Sequence, residues 1–242
     1  STHAVHNNEA NFYGRRSIFP NLGFDTFTSA EYMSEEEDKN PLGWTKDEVL
    51  TDEIIKCLDS TEESDYIYTI STQGHGAYPE EQLIDDPEIT VSGAETEAQN
   101  NQWEYYCNEI HEMDNFVKEL TDALADYPED VILVMYGDHL PTMGLTVEDL
   151  KNKYLFQTQY VMWDNFGLEK KDENLAAYQM AAEVMDRAGI HEGTIFRYHQ
   201  ARRNTRNYQV DLETLQYDVL YGKKYSYDGE SPFQRIKMRM GL

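Results

Sequence analysis

The feature that most constrains the fold is a nearly unbroken apolar run at residues 131–136, Val-Ile-Leu-Val-Met-Tyr. A short run without polar alternation is typical of a central parallel strand that is covered on both faces. Parallel strands need long crossover connections, and these are usually helices. The run therefore predicts an α/β sheet, and it fixes one strand of that sheet.

The rest of the chain alternates between strand-like and helix-like segments, which predicts a sheet with helices on both faces. Further strands are predicted at residues 2–6, 66–71 and 159–163, and helices at 8–18 (ended by Pro20 and Gly23), from a capping box at Thr45 to Glu48, within 95–126, at 175–188 and at 212–221. No internal boundary is indicated, so residues 1–242 are treated as one domain or part of one. Because the sequence opens directly on a strand, we expect the sheet to be incomplete on its N-terminal side.

The charge balance limits the classes of partner. The chain carries 46 acidic against 20 basic residues, a formal net charge of −26. Such a chain is repelled by phosphate backbones, so we expect no nucleic-acid partner. Acidic blocks such as residues 35–38 are typical of solvated loops. No apolar stretch reaches the roughly 18 residues of a membrane span.

The first chemical signal is Asp138-His139, directly after Tyr136 and Gly137 at the end of the apolar strand. Ligands of open α/β sheets bind beyond the carboxyl ends of strands. A carboxylate and an imidazole at that position are both suitable divalent-metal ligands. By itself, an Asp-His pair at a strand end is more often a turn or a hydrogen-bonded pair than a metal site.

The second signal is His75, which lies between Gly74 and Gly76 after the strand at 66–71. Flanking glycines let the backbone present the imidazole in a tight loop. A histidine there can hydrogen-bond an anionic ligand or a leaving oxygen. A solvent-exposed loop histidine is the alternative interpretation.

The third signal combines His6, at the end of the first strand, with Tyr13 and Arg15 on the next segment. The planar guanidinium of arginine matches phosphate oxygens, and an aromatic ring can line the same pocket. Taken alone, Arg15 is also compatible with an ordinary surface position. All three signals follow predicted strand ends, so we expect them to converge on one rim of the sheet.

Several spaced segments together resemble the lipoteichoic acid synthases, which are phosphoglycerol transferases of the sulfatase and alkaline phosphatase superfamily. The segments that carry the resemblance are residues 6–27, the loop at 72–76, Tyr-Gly-Asp-His at 136–139 and Leu-Gln-Tyr-Asp-Val-Leu-Tyr-Gly-Lys at 215–223. The resemblance extends over about residues 1–225 and implies an alkaline phosphatase or sulfatase-like fold. It identifies the chain as the C-terminal portion of a catalytic domain.

The resemblance also implies a set of site residues. In the family an Asp-His pair holds a divalent ion, most simply manganese. This pair corresponds to Asp138 and His139, which are therefore the implied metal ligands. A glycerol-phosphate pocket maps onto His6, Tyr13 and Arg15. His75 maps onto a loop histidine close to the transferred phosphate, as a catalytic and substrate-binding residue. Tyr13 occupies an aromatic position that is often tryptophan in the family.

Further properties are implied for the parent enzyme. Its threonine nucleophile, a metal-binding glutamate and its membrane helices lie on segments upstream of residue 1. The enzyme would act at the extracellular face of the plasma membrane. Membrane association would depend on those upstream segments.

Three functional hypotheses follow. The first is part of a metal-dependent phosphoglycerol transferase, which moves glycerol phosphate from a phosphatidylglycerol-like lipid to a cell-envelope acceptor. The second is a phosphate or sulfate ester hydrolase of the same superfamily. The third is a non-catalytic binding fragment, because the sequence contains no threonine in the expected strand-to-helix setting.

Overall fold

The computed structural model describes residues 1–33 and 38–229. These residues group into two compact units, the first formed by Ser1–Val131 with Met135–Val161 and the second by Ile132–Val134 with the residues from Met162 onward. Most of the acidic block at 35–38 lies outside the described residues. The prediction of one domain without an internal boundary stays a prediction.

A three-stranded parallel sheet forms the centre of the first unit. Its order is β2-β1-β3, with β1 at Thr2–His6, β2 at Thr26–Ser29 and β3 at Tyr66–Ile70. The central strand β1 is the most buried, since Ala4 and Val5 are fully inaccessible to solvent. The predicted strands at 2–6 and 66–71 are thus confirmed to within one residue.

The segment after β1 folds differently from the predicted helix at 8–18. A 3-10 turn at Phe12–Gly14 precedes helix α1 at Arg15–Leu22. The helix starts late because Tyr13 and Gly14 have φ values of 52° and 70°, outside the right-handed helical region. Pro20 lies inside α1 and does not end it; the left-handed C-cap is Gly23.

Helix α2 spans Val49–Leu58 and starts after the predicted capping box. The amide of Asp47 donates to Oε1 of Gln73 and the amide of Lys46 donates to the carbonyl of Asp38. These bonds tie the approach to α2 to neighbouring loops. The N-cap of α2 is Glu48 and makes no side-chain capping hydrogen bond, so the capping box predicted at Thr45 was wrong.

Helix α3 spans Glu97–Ala125, as its apolar spacing predicts. It begins with a capping box of its own, in which Thr96 accepts from the amide of Gln99 and the Gln99 side chain accepts from the amide of Thr96. Its buried face includes Leu120 and Leu124, which are 3% and 1% exposed.

Strands β4 at Ile132–Tyr136 and β5 at Tyr160–Asp164 form a two-stranded sheet. The expectation that residues 131–136 form a central strand covered on both faces was wrong for the described residues. Ile132 to Met135 are half-buried and Tyr136 is exposed, because β4 pairs with β5 alone among the described strands.

The described part of the second unit contains three further α-helices, α4 at Met180–Arg187, α5 at Thr194–Arg202 and α6 at Tyr208–Leu220. Helices α4 and α6 fall within or close to the predicted segments, whereas α5 was not predicted. The core of this unit includes an aromatic stack, with the rings of Tyr198 and Tyr208 5.6 Å apart. Both units therefore combine helices with strands, and the α/β prediction is confirmed.

Candidate functional site

The carboxyl ends of β1 and β3 form the rim on which the candidate residues lie. His6, the last residue of β1, pairs in register with Ile70, the last residue of β3. The loop that carries His75 leaves the sheet one residue later. Parallel pairing therefore brings two of the three sequence signals to the same rim.

The imidazole of His6 is fully buried and has both nitrogens engaged. Nδ1 lies 3.0 Å from the carbonyl oxygen of Ile70, and Nε2 contacts Nη1 of Arg15. Nδ1 must donate to that carbonyl, so Nε2 is free to accept from the guanidinium. Burial lowers the pKa of His6 to about 4, so the ring is neutral at neutral pH. His6 thus positions Arg15 and does not itself face solvent.

The guanidinium of Arg15 is held between rings as well as by His6. Its Cζ lies 5.5 Å from the ring centres of both Phe12 and Tyr13. Phe12 and Tyr13 pack edge to face, with ring centres 4.6 Å apart. Tyr13 is 72% exposed, so it can also contact a ligand. The arrangement presents a fixed, half-buried cation at the rim.

The loop around His75 is a tight turn, in which the amide of His75 donates to the carbonyl of Thr72 over 3.0 Å. The imidazole packs against Trp44, with ring centres 5.3 Å apart, and more distantly against Phe12. Its Nδ1 is buried without a hydrogen-bond partner among the described residues. The ring is therefore oriented by packing and retains hydrogen-bonding capacity.

A buried polar network around Asp47 fixes this loop. Oδ1 of Asp47 accepts from Asn7 Nδ2 at 2.8 Å and from the amides of Thr72 and Gln73 at 3.2 and 3.3 Å. Asp47 is fully buried, and this burial raises the pKa of its carboxyl group. The carboxylate thus links the residue after His6 to the loop that carries His75.

Glu109 on α3 extends the same network. It is 2% exposed and accepts from Asn40 Nδ2 at 3.1 Å, and the same amide also donates to the carbonyl of Gln73. Burial raises the pKa of Glu109. The loop that carries Asn40 and the loop that carries Gln73 are therefore both fixed against α3. The groups that fix them, Asn40 and Glu109, belong to none of the three sequence signals.

Asp138 and His139 lie after β4 and are open to solvent, with side chains 82% and 61% exposed. Nδ1 of His139 lies 2.8 Å from the carbonyl of Leu140 and donates to it, so Nε2 is the ring nitrogen that faces away from this bond. That nitrogen lies 3.5 Å from Oδ1 of Asp138. The two donors and the orienting carbonyl fit part of a divalent-metal site.

Within residues 1–33 and 38–229 there is no group of three or more His, Cys, Asp or Glu side chains suited to hold a metal. Asp138 and His139 therefore account for two ligands. They do not by themselves form a complete coordination shell.

Three observations within the first unit place the Asp138 segment beside the rim. Tyr136 hydrogen-bonds the side chain of Tyr68 on β3. Asp138 interacts electrostatically with Arg15. A Cβ atom at Gly76 would lie 3.0 Å from Oγ1 of Thr142 and 2.8 Å from Cε2 of Tyr78, so glycine is needed where these loops meet. All three sequence signals thus lie on one side of the first unit.

Three residues of this region were not predicted from the sequence as parts of the site: Trp44, Asp47 and Tyr68. Asp47 was considered only as part of the capping box predicted at Thr45 to Glu48. A buried aspartate has no local sequence signature, because its partners come from distant loops. The contacts of Trp44 with His75 likewise depend on the tertiary fold.

Comparisons with known proteins agree with this architecture. The profile of the Sulfatase family matches residues 1–190. A putative cyclic beta-1,2-glucan modification protein of Rhizobium meliloti (strain 1021) is 26% identical over 265 aligned residues, which cover 92% of this chain and 41% of that protein. The chain thus spans about two fifths of this curated relative.

Two solved structures share the fold. The Streptococcus pyogenes phosphoglycerol transferase GacH, in complex with sn-glycerol-1-phosphate, superimposes with a TM-score of 0.76 and 23% identity, over 93% of this chain and 62% of that one. An alkaline phosphatase superfamily protein from Vibrio parahaemolyticus gives a TM-score of 0.52 at 17% identity, over 78% of this chain and 44% of that one.

The expected fold is thereby confirmed. None of the described helices combines the length and apolar character needed to cross a bilayer. With a family profile matched over most of its length and an alkaline phosphatase-like architecture, the chain belongs to the sulfatase family.

Proposed function

We propose that the protein is a metal-dependent phosphoglycerol transferase, which moves glycerol phosphate from a phosphatidylglycerol-like lipid to a cell-envelope acceptor. The observation that carries the proposal is the guanidinium of Arg15, fixed by His6, Phe12 and Tyr13 at the rim that also bears His75. A pre-oriented planar cation is well suited to a phosphodiester head group. The proposal is also supported by the resemblance to lipoteichoic acid synthases.

In this proposal each rim residue has a distinct role. Arg15 binds phosphate oxygens, and the exposed ring of Tyr13 covers the glycerol moiety. Nδ1 of His75 has no hydrogen-bond partner among the described residues, so the ring can exchange a hydrogen bond with the transferred group. His6 acts on the substrate through Arg15, because its own nitrogens are taken by Ile70 and Arg15.

Asp138 and His139 would hold the divalent ion, which we propose to be manganese. When bound, such an ion would neutralise charge on the phosphoryl oxygens. Because Nδ1 of His139 donates to the carbonyl of Leu140, Nε2 is the nitrogen that would bind the ion. The attacking group is proposed to be a threonine outside this sequence, as the resemblance implies.

The acceptor is proposed to be a glycan or a glycan-linked polymer of the cell envelope, at the extracellular face of the plasma membrane. The relative in Rhizobium meliloti is named for the modification of a cyclic glucan. Nucleic acid is not a proposed partner, because the chain carries a formal charge of −26.

The test is donor specificity of the full-length protein. Purified protein with manganese is incubated with phosphatidylglycerol in detergent micelles and, separately, with a simple aryl sulfate and an aryl phosphate. We expect diacylglycerol release and transfer of glycerol phosphate to a glucan acceptor. Turnover of the aryl sulfate or aryl phosphate alone would contradict the transferase and favour an ester hydrolase.

A further inference from the structure

The connection between β4 and β5 exposes aromatic side chains to solvent. Its segment at residues 150–157, Leu-Lys-Asn-Lys-Tyr-Leu-Phe-Gln, lies within the first unit and is called the aromatic segment below. Phe156 is 100% exposed, which makes it the most exposed large apolar side chain among the described residues, and Tyr154 is 66% exposed. Single exposed apolar residues are ordinary on protein surfaces, but two aromatic rings on one short segment suggest a contact surface.

Polar groups of the aromatic segment bond to one another. Oδ1 of Asn152 accepts from the amide of Tyr154 at 3.0 Å, and Nδ2 of Asn152 donates to Oε1 of Gln157 at 3.1 Å. The amide of Lys153 donates to the carbonyl of Leu150 at 3.2 Å. A segment that moves from water into a less polar environment loses less free energy when its polar groups already have partners. The segment therefore combines internal hydrogen bonds with outward aromatic side chains.

The charge of the aromatic segment differs from that of the whole chain. The segment carries Lys151 and Lys153 and no acidic residue, in a chain with a formal charge of −26. The two carboxylates that precede it are engaged, since Glu148 pairs with Lys153 at 3.3 Å and Asp149 accepts from the amide and hydroxyl of Thr146 at 2.7 Å. Lys151 is exposed and forms no ion pair within the described part of the chain. Its ammonium group is thus available to an anion outside the protein.

Exposed aromatic rings beside lysines match the chemistry of a lipid surface. Aromatic side chains partition into the boundary between head groups and acyl chains, while lysines remain at the level of the lipid phosphates. At physiological ionic strength charges more than about 8 Å away are largely screened, so a surface in contact with the segment interacts mainly with these lysines. The net charge of the chain therefore does not prevent a local contact with anionic lipid.

We infer that the aromatic segment docks on the surface of a phosphatidylglycerol-containing membrane, with Phe156 and Tyr154 among the head groups and Lys151 against lipid phosphate. The sequence assigned membrane association to segments upstream of residue 1, and this contact is additional to them. The inference rests on the proposed function for the choice of lipid, because the proposed donor is phosphatidylglycerol. The connection that carries the segment also carries Asp138 and His139, so docking would hold these residues near the lipid head groups.

The test is co-sedimentation of the 242-residue chain with vesicles of phosphatidylcholine alone and of an equimolar mixture with phosphatidylglycerol. We expect Phe156→Ala to weaken binding to the mixed vesicles about tenfold, because it removes the largest exposed apolar surface of the segment. Phe166→Ala is the matched control, since Phe166 is an exposed phenylalanine outside the segment. Lys151→Gln should weaken binding to the mixed vesicles about fivefold, and Lys170→Gln, at an exposed lysine elsewhere, should leave it unchanged.

The same measurements can overturn the inference. It fails if the wild-type chain does not sediment with the mixed vesicles, if it binds both kinds of vesicle equally, or if Phe156→Ala and Phe166→Ala bind as well as wild type. Urea unfolding of each variant shows whether a loss of binding comes from a loss of folding. Failure of phosphatidylglycerol turnover, with vesicle binding intact in wild type and weakened in Phe156→Ala, would instead overturn the proposed transferase and leave the membrane contact standing.

Discussion

Replacement of Asp47 by alanine tests the buried network beneath the His75 loop. In the native protein Oδ1 of Asp47 accepts from Asn7 and from the amides of Thr72 and Gln73. Alanine leaves the two backbone amides buried and unpaired, whereas Asn7 keeps a bond to the carbonyl of Thr45. Each orphaned amide costs about 1–3 kcal/mol, so we expect local opening of the loop to become easier by about 3 kcal/mol.

Amide hydrogen exchange measured by mass spectrometry reports this opening directly. A loss of about 3 kcal/mol corresponds to exchange roughly a hundredfold faster in the peptide that covers residues 66–78. Asp52→Ala is the control, because Asp52 is an exposed residue at the start of α2. Unchanged exchange in Asp47→Ala would refute the idea that Asp47 holds the loop.

Comparison with Asp47→Asn tests how the stability of the wild type depends on pH. Burial raises the pKa of Asp47 in the folded state, so the folded protein binds this proton more tightly than the unfolded chain. The stabilisation that comes from this proton is present below the pKa of Asp47 in the unfolded chain. It is lost as the pH rises through the pKa of Asp47 in the folded protein. Asp47→Asn does not titrate, so we expect wild type to lose free energy of unfolding relative to this variant as the pH increases. A difference that is constant from acid to neutral pH would contradict this.

Three further outcomes are expected. Gly76→Ala should destabilise the protein by about 1–3 kcal/mol in urea unfolding, because the new Cβ atom would lie 2.8 Å from the ring of Tyr78. Gly74→Ala is the control and should be tolerated, because the nearest atom to its Cβ would lie at 3.8 Å. Leu124→Ala, at a site 1% exposed on α3, should cost about 2–5 kcal/mol in the same assay. In the full-length protein, Asp138→Ala should abolish manganese binding measured by calorimetry; binding that survives this change would place the metal elsewhere.

The sequence was sufficient for the elements with strong periodicity. The apolar spacing of residues 97–125 and the β-branched and aromatic run at 66–70 predicted α3 and β3 closely. The candidate rim could also be predicted from the strands at 2–6 and 66–71, because the carboxyl ends of parallel strands share one edge of a sheet. The placement of His6 and the His75 loop on this rim was therefore accessible without a structure.

Other features depend on contacts between distant residues. The apolar run at 131–136 indicated a doubly covered strand, but hydropathy cannot tell how many neighbours a strand has, and β4 pairs with β5 alone among the described strands. The capping box at Thr45 was wrong because α2 begins only at Val49, with Glu48 as its N-cap, and the segment before it is held by another loop through the bond from the amide of Asp47 to Gln73. The engagement of His6 by Arg15 likewise appears only once Tyr13 and Gly14 turn the chain back.

The most direct test of the central claim is the rate of glycerol phosphate transfer from phosphatidylglycerol by full-length wild type, Arg15→Lys and Arg16→Lys. Lysine keeps the charge but loses the planar fork that His6 and the two rings hold in place. We expect Arg15→Lys to lower kcat/KM about tenfold to a hundredfold, the equivalent of roughly 1.4–2.7 kcal/mol, and the exposed Arg16→Lys to remain within about twofold of wild type. Equal rates for all three proteins would contradict the assignment of Arg15 to the phosphate.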